Sequence, residues 1–268
     1  MRYRLVALAA AATAAIGIGC RAIPAPVDGV LALSPILLPS PGVVAGDTLR
    51  DSTGRAAPLR VVAFGLHGEG DTITTVVPTY VVLDPGAHVT PDGYVIGDSV
   101  RPSPVRIVAT VGTLQTSAAN LSVTPLPDSI GPTGATTLAT VTWAPTDTTA
   151  RSAALGATVL ATGLVPPQGV QAVIVRYAIV SAPPGFNNAV TGILLGASGT
   201  PTTADTTNTS GQVAPTIRVR PAALAVPSAP DSFVVTATAS YRGVPLRGSP
   251  IRFVVPIKST VASGSRIR

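Results

Sequence analysis

Helix-compatible polar residues are almost missing from this chain: among its 268 residues Lys258 is the only lysine and Glu69 the only glutamate, while proline occurs 27 times. Proline removes a backbone donor and clashes with the preceding turn, so long helices are excluded. Abundant Val and Thr favour pleated, half-buried strands. The expected fold class is therefore all-β. A GC-rich genome would also enrich Arg, Ala, Gly, Pro and Val, and the two readings are compatible.

Short apolar runs separated by turn signals repeat along the chain, the pattern of a sandwich or barrel. Pro41-Gly42, Asp51-Ser52-Thr53-Gly54, Asp84-Pro85-Gly86 and Pro91-Asp92-Gly93 are turn candidates. Period-two alternation puts Val105, Ile107, Ala109 and Val111 on one face, and Leu121 with Val123 on another. Further on, Val173, Val175, Tyr177 and Ile179 share a face within 170–180, and segment 136–143 reads as a strand. Ile217 and Val219, then Phe233, Val235, Ala237, Ala239 and Tyr241, and finally Ile251, Phe253 and Val255 alternate likewise. Pro125, Pro127, Gly131, Pro132 and Gly134 cluster without periodicity between these groups. The predicted organisation is two tandem β-sandwiches at 30–125 and 135–258, joined by a linker at 126–134 and followed by a tail at 259–268.

The N-terminus reads as a signal peptide over residues 1–19. Arg2 and Arg4 precede an apolar stretch, 5–19, that would span about 22 Å as a helix, short of the roughly 30 Å hydrocarbon core. Cys20, the only cysteine, follows at once. No disulfide within the chain is possible. The run Ile16-Gly17-Ile18-Gly19-Cys20 resembles the lipobox of bacterial lipoproteins, with Gly17 standing where that family usually has Leu. The resemblance implies that Cys20 is the lipid attachment point and first mature residue, that residues 20–29 form the anchor cysteine and spacer, and that the protein is exported to the cell envelope. Several acyl chains hold a protein on a membrane where one would not. Arg21 in place of Asp is similar to outer-membrane sorting.

The first sandwich resembles the group 2 bacterial Ig-like domains. The resemblance rests on Gly46-Asp47-Thr48-Leu49, Asp51-Ser52-Thr53-Gly54-Arg55, Val89-Thr90-Pro91-Asp92-Gly93-Tyr94-Val95, Val105-Arg106-Ile107-Val108-Ala109 and Leu121-Ser122-Val123. Tyr80 occupies the segment, 77–83, where that family commonly carries Trp. The second sandwich is similar to the invasin and intimin type. There the resemblance rests on Gly169-Val170-Gln171-Ala172-Val173, the Thr-rich stretch from Thr206 through Gly211 to Val213, and Asp231-Ser232-Phe233-Val234-Val235. Together they imply a non-enzymatic, extracytoplasmic building block for surface spacing, adhesion or protein binding, although fold alone does not fix function.

Two histidines, one glutamate and one thiol are a poor inventory for catalysis. No catalytic residue and no cofactor are expected. In an extended His67-Gly68-Glu69-Gly70-Asp71 segment, His67, Glu69 and Asp71 would point one way and could hold a divalent metal, but the flanking glycines read first as a hairpin tip. His88 reads as a surface residue and Trp143 as core. Asp205 and Asn208 read as turn residues. Gly196-Ala197-Ser198-Gly199 lacks the strand-to-helix setting of a nucleophile elbow.

Only 11% of residues are charged, and the net charge of +6 falls by two to +4 when Arg2 and Arg4 leave. Scattered arginines without an aromatic-rich stretch exclude a nucleic-acid partner. Arg176, Arg218, Arg220, Arg242, Arg247 and Arg252 read as a solvated strand face. The expected partners are the membrane, through Cys20, and a protein or glycan ligand. A carbohydrate-binding or enzyme-accessory module is the alternative, with Tyr80, Tyr94 or Tyr241 as its platform.

Overall fold

The computed structural model describes residues 29–65, 72–143, 147–183, 192–196, 198–219 and 231–259. Cys20 with its signal segment, the candidates His67, Glu69 and Asp71, and Arg220 lie outside the described residues, as does the tail from 260. Among the described residues there is no α-helix. The fold is all-β, as the near-absence of Lys and Glu required.

One sheet is built twice. In the first unit Gly42–Val44 runs parallel to Ala119–Thr124, which pairs antiparallel with Val105–Val111, which pairs antiparallel with Thr79–Val82. In the second, Val141–Trp143 runs parallel to Ile251–Ser259, which pairs antiparallel with Asp231–Thr238 and through it with Ile174–Ser181. Ala204–Thr206 adds a fifth strand at the far edge. In the first unit the Ala87–Val89 and Val95–Gly97 hairpin contributes Ala87 and Val95 to the core beside its large sheet, and Ala32–Leu33, Ala63–Phe64 and Thr72–Ile73 form a separate three-stranded sheet. In the second, Ser129–Pro132 with Ala157–Ala161, and Thr216–Val219 with Gly192–Leu195, pack into one core with the large sheet. Each unit is an Ig-like β-sandwich whose inner faces supply its core.

The alternation decides what is inside. Val105, Ile107, Ala109, Leu121 and Val123 are fully buried, while Arg106 and Asn120 on the opposite pleat are exposed. Phe233, Val235, Phe253, Val255 and Ile257 do the same in the second unit. The buried apolar side chains fall into separate clusters, one spanning Ile36 to Val123 and another Ile130 to Ile257, with a small annex of Val30, Ala63 and Val111. Tyrosines fill matching places. Tyr80 on Thr79–Val82 donates its hydroxyl to the Leu59 carbonyl at 3.0 Å, and Tyr177 on Ile174–Ser181 donates to the Leu155 carbonyl at 3.1 Å. Burial pushes both phenols above their usual range. Each ring thus packs in the core while its polar tip finds a backbone partner.

Three expected elements are corrected. Ser129–Pro132, placed in the linker because of its Gly and Pro, is a strand of the second unit, paired with Ala157–Ala161. It lies at the sheet edge, where the missing proline donor is tolerated. The strand expected over 170–180 starts only at Ile174, because Ala172 takes a left-handed φ of 61° and breaks the extended run. The segment 136–143 forms a regular strand only at Val141–Trp143, preceded by an isolated bridge from Thr137 to Val254.

Candidate functional site at the junction of the two sandwiches

The connector is shorter than the proline and glycine content suggests. Thr124 ends the last strand of the first unit. By Asp128 the chain already belongs to the second: its amide donates to the Leu160 carbonyl at 3.0 Å. Its carboxylate accepts from the Thr162 amide and hydroxyl, both at 2.8 Å, and from the Gly163 amide at 3.1 Å. Burial alone would raise this carboxyl, but these bonds hold it below the usual range. Only Pro125-Leu126-Pro127 lies between, and two proline rings fix φ at two of these three positions.

Asp47 then bridges the units. It follows Gly46, whose φ of 79° turns the chain out of Gly42–Val44 and carries the carboxylate inward, leaving Asp47 only 7% exposed. Arg50 of the same unit grips it with Nε at 2.8 Å and Nη2 at 2.9 Å. Arg242 of the second unit grips the same two oxygens with Nε at 3.0 Å and Nη2 at 2.7 Å. The Tyr241 hydroxyl donates to Oδ2 as well. Arg50 makes the bidentate fork, and Arg242 adds one hydrogen bond from Nε and an ion-pair contact from Nη2 to the same carboxylate, bonds that charge on both partners strengthens. Burial by itself would raise the Asp47 carboxyl, but the bonds from Arg50, Arg242, Tyr241 and the Thr48 backbone outweigh it and hold the group far below the carboxylate range. Burial and the bond to Asp47 push the Tyr241 phenol up. The Arg242 guanidinium lies 5.6 Å from the Tyr241 ring centroid, adding a cation–π contact.

Two tight turns meet at this point. The Asp51-Ser52-Thr53-Gly54 turn forms as its sequence predicts, with Asp51 Oδ1 accepting from the Thr53 amide, the Thr53 hydroxyl and the Arg55 amide at 2.8, 2.6 and 3.1 Å. Opposite it, Arg242 and Gly243 connect Ser240–Tyr241 to Val244–Pro245 with φ of 52° and 77°, the positive pair of a type I′ turn. The approach is backbone to backbone: a Cβ on Gly54 would lie 2.6 Å from the Gly243 nitrogen. Arg176 donates to the Ser52 carbonyl at 3.3 Å across the same seam. Between the units remains a cavity of about 100 Å³, lined by Ser40, Arg50, Asp51, Arg176, Ser240 and Arg242 among others.

The other sequence candidates are not gathered here. Cys20, His67, Glu69 and Asp71 fall outside the described residues, and among the described residues no group of three His, Cys, Asp or Glu is placed to hold a metal. Nor is any described helix long and apolar enough to cross a membrane. His88, which lacks a neighbour in sequence, acquires one across the Ala87–Val89 and Val95–Gly97 hairpin: its Nδ1 lies 2.8 Å from Asp98. The proposed tyrosine platform is not assembled, because Tyr80 and Tyr241 turn their hydroxyls into protein partners. The expected basic face is divided: Arg176 and Arg242 serve the junction, and Arg247 bonds the Thr162 hydroxyl at 2.9 Å. The residues missed by sequence reasoning are Asp47, Arg50 and Tyr241 as a unit. Asp47 stood in the quoted Gly46-Asp47-Thr48-Leu49 motif, but its partners Tyr241 and Arg242 are 194 and 195 residues away.

No family model and no curated protein matches the chain. Among solved structures it is similar to domains 1–6 of the surface layer protein SbsC, at 13% identity with a TM-score of 0.30, over 86% of this chain and 28% of that one. It is also similar to the Yersinia pseudotuberculosis adhesin InvE (10% identity, TM-score 0.27, 85% of this chain and 60% of that one). A third is the set of zebrafish RET cadherin-like domains 1 to 4 (9% identity, TM-score 0.31, 90% and 50%). The chain therefore spans less than two thirds of each of these structures. At this level of similarity the architecture rests on the strand pairing itself, which defines a tandem Ig-like β-sandwich protein.

Proposed function

We propose that this is an exported envelope lipoprotein, tethered through Cys20, whose two sandwiches form a non-enzymatic spacer that holds a protein- or glycan-binding surface away from the membrane. The observation that carries this reading is the junction: a three-residue connector with two prolines, and one buried carboxylate shared by both units. A spacer must keep its length, and a seam with so few free torsions does so at small entropic cost. An N-terminal tether puts the second sandwich farther from the membrane than the first.

Cell fractionation with intact-mass measurement tests the tether. The wild-type protein is expected in the membrane fraction with a mass starting at acylated Cys20, and Cys20→Ser is expected to lose the acyl mass and the membrane association. Recovery of a soluble mature protein with an unmodified thiol would overturn it. Spin labels placed on Thr110 and Thr236, one per sandwich, test the spacer: a single narrow distance distribution is expected, whereas a broad one would show free hinging.

A further inference from the structure

The junction is rich in donors and short of acceptors. Asp47 is used by Arg50, Arg242 and Tyr241, Asp51 Oδ1 already accepts three bonds, and the Ser52 and Gly54 carbonyls accept from Arg176 and Arg50. Two guanidiniums share one carboxylate, and Arg176 has no ion-pair partner among the described residues. Counting Arg50, Arg176 and Arg242 against Asp47 and Asp51 leaves one positive charge in excess at the cavity. Arg176 carries one bond for its five donors, Arg242 keeps Nη1 unbonded, and the Ser40 and Ser240 hydroxyls donate to no protein group among the described residues. All four residues line the same cavity of about 100 Å³.

We infer that this cavity is an oxyanion site, with Arg176 as its principal donor and Arg242, Ser40 and Ser240 completing it. A phosphate, sulfate or carboxylate group is acceptor-only and matches a guanidinium fork, which is what leftover donors with no remaining acceptor select. The uncommitted Oδ2 of Asp51, also in the lining, restricts the anion to the Arg176 and Arg242 side. A cavity of about 100 Å³ is large enough to admit one such group. Because Arg176 and Arg242 come from the second unit and Ser40 from the first, a bound anion bridges the seam. This goes beyond the spacer reading and can fail without it.

The test is a titration of the mature protein with inorganic phosphate at constant ionic strength, held with chloride, followed by isothermal calorimetry and ³¹P line broadening. Saturable binding of one phosphate per chain is expected. Arg176→Ala should weaken it about ten-fold or more, since bonds to a charged group are lost, and Arg176→Lys should recover part of the loss. Ser240→Ala, at an exposed strand position, provides a second variant with a smaller expected loss of about three-fold. Competition separates the sources: displacement by sulfate alone assigns a tetrahedral anion, and displacement by acetate assigns a carboxylate such as an acidic partner side chain. Non-saturable binding, or equal affinity in wild type and Arg176→Ala, would overturn the site.

Discussion

Asp47→Ala should lower the stability of the protein by about 3 kcal/mol and release the two sandwiches from one another. Removing one partner from a buried pair typically costs about 3–5 kcal/mol, because the charges left behind lose their compensation. The lower end applies here: Arg50 and Arg242 are 25% and 53% exposed, so water recovers part of their solvation. Chemical denaturation reads the stability, and the spin-label distances read the release, as broadening. Asp47→Asn keeps the shape and two acceptor lone pairs, and should fall between. An Asp47→Ala protein with unchanged stability and an equally narrow distance distribution would mean that Pro125-Leu126-Pro127 holds the units alone.

The pH dependence of this effect has a definite sign. The folded carboxyl of Asp47 titrates far below its unfolded value of about 3.9, so its stabilisation is complete above that value and is lost as pH falls beneath it. Asp84, held at about 2 by Arg106, behaves the same way. The gap between wild type and Asp47→Asn should therefore be constant from pH 7 to about pH 4 and narrow below it.

Gly211→Ala should cost about 3–4 kcal/mol, an effect confined to the second sandwich. Gly211 has φ of 76°, and a Cβ there would lie 2.5 Å from the Val159 oxygen, 2.7 Å from the Gly169 Cα and 2.7 Å from the Val170 nitrogen. The Val159 oxygen and the Val170 nitrogen are themselves joined by a hydrogen bond at 2.9 Å between fully buried residues, and Gly169 precedes Val170 in the same backbone. Backbone atoms held on both sides cannot step aside, so left-handed strain and overpacking add. Thermal unfolding checks this, and a drop of less than about 1 kcal/mol would show that the turn relocates instead.

Gly211 also shows what could be read in advance. The Thr-rich turn leading into a strand was visible because turn chemistry is local, and so were the strands carrying Val105 to Val111 and Phe233 to Ala239, whose alternation needs only a few neighbouring residues. Ser129–Pro132 was misread because Gly and Pro mark an edge strand and a linker alike. Asp47 was invisible as a bridge, since nothing near it in sequence indicates that Tyr241 and Arg242 will arrive from the far end of the chain. Contacts between domains leave no periodic trace in either one.

The parallel pairing of Gly42–Val44 with Ala119–Thr124, repeated by Val141–Trp143 with Ile251–Ser259, decides how each sandwich responds to mechanical load. When a unit is pulled by its two ends, these parallel strands are drawn in opposite directions along their own axes. Their hydrogen bonds are then sheared together, not opened one after another from an end. A protein tethered at one end and gripped at the other would thus meet tension with all the bonds of a strand pair at once.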